Sequence, residues 1–241
     1  IMSPNSIEEA VEAIEGIIMP PSPQQSSDSA HQPCYNRKIA IMGYPCVGKT
    51  SITLRFINGN FPDAYDTTIE ELHHKTYKWK GRNYSLRITD TAGQQEFSLF
   101  PRSCAVDIDG FMLVYAINDR KSFEIVQTIH DKIVECVGDI NVPVVLVGNK
   151  LDLQHSCRAV SREEGEAQAR KWNAWFVEIS ARDLESHHAP VRYRVNQALP
   201  NEVNEIFEKA ILAIEMAKGN FNQNGKPIIG PGSRESRCSL M

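Results

Sequence analysis

From Asn36 onward the chain alternates short apolar runs with longer amphipathic stretches. Apolar runs of strand length fall at about 37–42, 72–79, 83–89, 110–116, 143–149 and 174–179, and helical periodicity places helices at about 49–58, 121–137, 161–172 and 202–218. That alternation is the pattern of βα units wound around a mostly parallel sheet. One pair departs from it. In YKWKGRNYSLRI, Lys80-Gly81 separates two alternating runs and predicts a tight hairpin, which puts one antiparallel edge strand on a six-stranded sheet. Ser161 with Glu164 three residues on predicts a capping box at the start of the third helix. The expected fold class is therefore α/β, with helices on both faces of the sheet.

Outside this region the pattern weakens. Residues 1–34 contain MPPSPQQSSDSAHQP, too poor in large apolar side chains to offset the entropy of ordering, and are expected to form a disordered extension. Within it Ile7, Val11, Ile14 and Ile18 recur at helical spacing, enough for a short helix on a partner but marginal alone. The globular domain is expected over 35–218, and a flexible tail over 219–241.

Composition narrows the class of protein. The 241 residues are 41% hydrophobic and 23% charged with a net charge of −4, which fits one ordinary globular domain with appendages and gives no basic surplus for binding nucleic acid. There is no apolar run of about 18 residues, and Glu8, Glu9, Glu12 and Glu15 argue against a signal or transit peptide. Six scattered cysteines without a C-x-x-C pair point to reduced thiols and a cytosolic body.

The chemistry is concentrated in IAIMGYPCVGKTS. Gly43-Tyr44-Pro45-Cys46-Val47-Gly48-Lys49-Thr50 matches G-x-x-x-x-G-K-[ST] between a predicted strand and a predicted helix. The glycines let the backbone curl so that amides converge on phosphate oxygens, Lys49 adds a point charge, and Thr50 offers a hydroxyl to Mg²⁺. Adenine enzymes share this loop, so the base must be read elsewhere. In NKLD (Asn149, Lys150, Leu151, Asp152), after the strand VPVVLVG, the aspartate can accept hydrogen bonds from the ring N–H and exocyclic amine that guanine has and adenine lacks. In DTAGQ, Asp90 supplies a carboxylate for a Mg²⁺ shell, and the amide of Gly93 can approach a terminal phosphate. Taken singly, an Asn-Lys turn or an Asp-Thr helix cap explains either motif as well.

Together the motifs resemble those of the Ras superfamily of small GTPases over roughly 36–218, with the lysine, aspartate and asparagine motifs spaced as in a Ras-type P-loop GTPase domain. The resemblance implies bound GTP or GDP with Mg²⁺ held by Thr50, Thr68 and, through water, Asp90. It makes Thr68 in YDTTIE the threonine that closes on the metal and the γ-phosphate, Tyr65 the ring over the phosphates, Phe61 (with Pro62) the aromatic on the base, and Gln94 the residue orienting the attacking water. Lys49, Tyr65, Thr68 and Gln94 form the implied catalytic set. Cys46, Val47, Gly48, Lys49, Thr50 and Ser51 supply the phosphate amides, and Thr68, Ile69, Glu70 and Glu71 the effector segment. Ser180-Ala181-Arg182 resembles the Ser-Ala-Lys loop under guanine, with an arginine able to stack where the family has lysine.

Within the superfamily, YDTTIEE, DTAGQQEFSLFP with Phe100-Pro101, and KWNAWFVEISA with Trp172-Asn173 resemble the Rheb branch. That implies a switch acting on the TOR kinase complex and turned off by a GAP of the tuberous sclerosis complex type, which inserts an asparagine. The third loop position, glycine in Ras and usually arginine in Rheb, is Pro45. The family's phosphate-facing amides begin at Cys46, so a residue without an N–H costs no contact, but its ring takes volume beside the γ-phosphate. Slow intrinsic hydrolysis is the expectation, with a permanently GTP-loaded binding module as the alternative. The last four residues, Cys238-Ser239-Leu240-Met241, match a C-a-a-X box and predict farnesylation of Cys238 by prenyl-processing enzymes. One lipid with Arg234 and Arg237 nearby gives weak anchoring, hence sampling of the cytoplasmic face of endomembranes (lysosome, Golgi or ER) with a cytosolic pool; a monomer is expected from the family. Relative to this family, residues 183–200 are a loop insertion, in which His187, His188 and Arg192 are weak candidates for a partner contact.

Overall fold

A computed structural model describes residues 33–61, 68–95, 107–182, 202–222 and 224–228. The strands are β1 (Cys34–Gly43), β2 (Glu70–Trp79), β3 (Arg82–Thr91), β4 (Gly110–Ala116), β5 (Val144–Asn149) and β6 (Trp175–Glu178). The helices are α1 (Lys49–Asn58), α2 (Arg120–Val137), the short α3 (Gln154–Cys157), α4 (Arg162–Lys171) and α5 (Glu202–Ala217). The sheet runs β2-β3-β1-β4-β5-β6. Only the β2–β3 pair is antiparallel, as the sequence predicts.

β4 is apolar and buried at every position, and β5 is buried throughout, because both faces of the sheet are covered there. Ile39 and Ile41 of β1 and Met112 and Val114 of β4 join α1 and α5 in one core, where Phe56 and Phe207 stack with ring centroids 3.7 Å apart. Ala40 and Met42 with Phe111, Leu113 and Tyr115 face the other way, onto α2 and α4. The connection at Lys80-Gly81 has positive φ at both residues (46° and 75°), the geometry a two-residue hairpin needs. The hairpin is longer than its apolar pattern, reaching from Glu70 opposite Thr91 to Trp79 opposite Arg82, because the backbone ladder continues where exposed side chains are polar.

Helix ends follow local chemistry. Asp119 accepts from the Ser122 amide at the start of α2, and Ser161 and Glu164 form the expected capping box on α4. A 3-10 turn at Leu151–Leu153 and α3 behind it are too short to leave a periodic signal.

Two expectations change at the domain boundaries. β1 starts at Cys34, inside the stretch expected to be disordered, because it pairs with β3 from Cys34 opposite Asn83. The tail expected to be flexible from 219 is instead folded back at 219–222 and 224–228. Phe221 is buried and stacks on Trp79 at 5.6 Å, Arg82 lies over the Phe221 ring at 4.8 Å, and Lys80 Nζ donates to the Gly225 carbonyl at 2.6 Å. A bridge between Phe221 and Pro227 closes the turn. Pro62, Tyr65, Phe100, Pro101, the 183–200 insertion with His187, His188 and Arg192, and Cys238 lie outside the described residues. So does the 1–32 part of the N-terminal extension.

Candidate functional site

The site lies at the carboxyl end of the parallel strands, where β1 passes into α1 and β5 into the 3-10 turn. Gly48 caps α1 with φ 97°, and a Cβ there would stand 2.3 Å from Asn149 Nδ2. Only glycine fits. Cys46 also has positive φ (61°), and this alternation of handedness turns successive amides of the loop inward, as a phosphate cradle requires. Lys49, nearly fully buried, donates through Nζ to the carbonyls of Gly43 (3.2 Å) and Tyr44 (3.1 Å).

Burial pushes the Lys49 ammonium down to about 8, with Asp90 and then Cys46 restraining the fall. A phosphate on Lys49 would favour the charged form, so nucleotide binding above about pH 8 takes up a proton. Nucleotide affinity should therefore fall as pH rises through 8 toward the ordinary lysine value. Calorimetric titration of GDP at pH 8.5 in two buffers of different ionisation enthalpy should register net proton uptake; equal heats in both buffers would refute this assignment.

Three oxygen donors fit Mg²⁺. Thr50 Oγ1 and Thr68 Oγ1 lie 2.7 Å apart, near the roughly 2.9 Å that separates adjacent ligands in an octahedron with bonds of 2.0–2.1 Å. Asp90 is fully buried, neither of its carboxylate oxygens has a hydrogen-bond partner among the described residues, and burial raises its pKa against the opposing pull of Thr50 and Lys49. A buried carboxylate left without donors suits a site completed by a cation and its waters. Among the described residues no group of three or more His, Cys, Asp or Glu side chains could hold a metal ion.

The strand after Asp90 turns back onto the phosphate loop. The Gln94 amide donates to the Gly43 carbonyl at 3.0 Å, the Ala92 amide to the Ile69 carbonyl at 2.9 Å. A Cβ on Gly93 would meet Pro45 Cα at 2.4 Å and Cγ at 2.5 Å. The Gln94 side chain is buried, and its Nε2 has no hydrogen-bond partner among the described residues. The packing of Pro45 on Gly93 had no signal in the sequence, since the two are 48 positions apart and carry no complementary chemistry. Of the residues expected to form the effector segment, Ile69 is 87% exposed, and Glu70 and Glu71 open β2 with exposed side chains.

The base site is a cavity of about 410 Å³ lined by Cys46, Gly48, Ser51, Phe61, Asn149, Lys150, Asp152, Leu153, Ala181 and Arg182. Asp152 Oδ1 accepts from Ser180 Oγ at 2.7 Å, which fixes the carboxylate expected to face the base. Asn149 does more than line the cavity. Its Nδ2 donates to the Val47 carbonyl at 2.7 Å and its Oδ1 accepts from the Ala181 amide at 3.0 Å, so it stitches the phosphate loop to the base loop. A larger cavity of about 520 Å³ opens around Trp172 and Trp175, at the other end of the sheet where β5 and β6 begin; it has no phosphate loop and no part in this site.

The sequence of residues 38–199 matches the model of the Ras family. The chain is 49% identical over 206 residues to the GTP-binding protein Rheb of Homo sapiens, covering 86% of this chain and 97% of that protein. It is 48% identical over 202 residues to the GTP-binding protein Rheb homolog 1 of Caenorhabditis elegans (84% and 89%), and 42% identical over 195 residues to the Rheb homolog of Drosophila melanogaster (81% and 94%). With the phosphate loop, the metal donors and the guanine-side residues gathered at one strand end, the chain belongs to the Ras family, in its Rheb branch, and is a GTPase.

Proposed function

We propose that this GTPase is a slow, GAP-dependent switch of the Rheb type, anchored to endomembranes through a lipid on Cys238 and acting on a TOR kinase complex. Its GTP-bound form presents Thr68 to Glu71, and hydrolysis releases that segment. The observation that carries slow hydrolysis is the contact of Pro45 with Gly93, together with the Gln94 amide tied to Gly43 and the Gln94 side chain buried.

The chain's own groups divide the work. The loop amides and Lys49 bind and orient the phosphates. Asp152 and the 180–182 loop orient the base, and the walls of Pro45 and Gly93 exclude a catalytic group from the γ-phosphate side. Mg²⁺, held by Thr50 and Thr68 with Asp90 through water, would supply charge neutralisation on the β- and γ-phosphates. For Gln94 to orient a water, its amide must leave Gly43 and its side chain must emerge past the proline ring. A GAP that brings its own polar group to the attacking water avoids that requirement, whereas an arginine finger needs the volume Pro45 fills.

Phosphate release from preloaded GTP in single turnover tests this. The wild type should turn over at or below about 10⁻⁴ s⁻¹, Pro45→Gly should be faster, and Gln94→Leu only modestly slower. A tuberous-sclerosis-type GAP should still accelerate the wild type, whereas a GAP with an arginine finger should do little. Fast wild-type hydrolysis that collapses in Gln94→Leu and is unchanged in Pro45→Gly would sink the proposal. Turnover indistinguishable from zero with either GAP would favour a permanently loaded binding module.

A further inference from the structure

We infer that Arg55, in the last turn of α1 and remote from the phosphates, is a positioning residue for guanine recognition. Its Nη1 donates to the carbonyls of both Ser180 (3.2 Å) and Ala181 (2.9 Å), across more than 120 positions of sequence. These are the two central carbonyls of the loop under the base. A trans peptide is planar, with C=O and N–H on opposite sides. Drawing the Ser180 carbonyl to Arg55 therefore turns the Ala181 amide the other way, and drawing the Ala181 carbonyl does the same to the amide of Arg182. The Ala181 amide does face away from Arg55, onto Asn149 Oδ1 at 3.0 Å, on the side of the base cavity that Ala181 and Arg182 line.

With the Ala181 amide engaged by Asn149, the Arg182 amide, turned away from Arg55 with its peptide plane, is the N–H of this loop left for the cavity. A donor there suits a purine with an oxygen acceptor at its 6-position and repels one with an amine there. The remaining ties of the loop, Ser180 Oγ to Asp152 and to the Arg182 carbonyl, hold a side chain and its C-terminal end, not the two carbonyls. Arg55 also stands on the helix that begins at Lys49 and Thr50, so one rigid element carries the phosphate contacts at its start and the base loop near its end. The blander role for a cation there is to face the carbonyl end of the helix, Arg55 being in its last turn.

The experiment compares dissociation of a fluorescent GDP from the full-length wild type, Arg55→Ala and Arg55→Gln, alongside single-turnover hydrolysis of preloaded GTP. Losing a charge-assisted donor shared by two carbonyls should speed GDP release about tenfold in Arg55→Ala. Hydrolysis of GTP already bound should stay within about twofold of wild type, because the phosphate end of α1 is untouched. Arg55→Gln, which keeps an N–H donor without the charge, should fall between the two. Release within twofold of wild type in Arg55→Ala would overturn the inference. So would release and hydrolysis changing together, which would mean general loosening of the helix, or Arg55→Gln as fast as Arg55→Ala, which would assign the effect to charge at the helix end.

Discussion

Asp152→Asn is expected to lower GTP affinity by about 10²–10⁴-fold and to make xanthosine triphosphate the better ligand. The carboxylate lines the base cavity and is held by Ser180 Oγ, so its orientation is set before a nucleotide arrives. Two hydrogen bonds from guanine to a charged acceptor contribute about 1.5–3 kcal/mol each, and an amide in the same place turns an NH₂ group toward the guanine donors. Xanthine carries an oxygen where guanine carries its exocyclic amine, and that oxygen accepts from the new amide. Competitive titration of GTP against xanthosine triphosphate decides the matter: unchanged GTP affinity in the variant would remove Asp152 from base recognition.

Glu215→Ala is expected to cost about 3–5 kcal/mol of folding stability, the range for breaking a buried ion pair from one side. Glu215 is fully buried on α5. It accepts from Arg37 Nε at 2.6 Å and from Asn220 Nδ2 at 2.8 Å, and Arg82 Nη1 stands 3.8 Å away. Removing the carboxylate leaves two guanidinium groups facing each other in a partly buried space, and frees Asn220 at the root of the docked tail. Urea unfolding with saturating GDP and Mg²⁺ measures the loss, and Glu215→Gln, which keeps volume and one acceptor, should recover part of it. A midpoint for Glu215→Ala within 0.5 kcal/mol of wild type, about what an ordinary surface change gives, would show that the two arginines find other partners.

The sheet, its one antiparallel pair and the four longer described helices were legible because burial on two faces or one leaves a period in the side chains. Lys80-Gly81 was legible for a different reason: the turn needs positive φ twice, and few residue pairs tolerate that. The chemistry of the phosphate loop, Asp90 and Asp152 could be read from residue type and setting. What could not be read is every relation that closes through space between unlike partners. Asn149 looks like a base ligand in sequence, and its two bonds to Val47 and Ala181 emerge only when three loops meet. The tail reads as a linker because NQNGKPIIG is polar and rich in turn residues; the groups that hold it, Trp79, Lys80 and Arg82, lie about 140 positions earlier.

That docked tail sets a distance for any anchor beyond it. With the chain pinned as far as Ile228, whose amide donates a hydrogen bond to the Asn220 carbonyl, the stretch 229–237 can reach at most about 30 Å when fully extended. The tail touches the tip of the β2–β3 hairpin through Gly225, while the other end of that hairpin carries Glu70 and Thr91 beside the metal donors. The lipid proposed for Cys238 would therefore keep the folded domain within about 30 Å of the surface that holds it. Undocking of Phe221 from Trp79 would free residues 219–222 and 224–228 and lengthen the chain between α5 and residue 229.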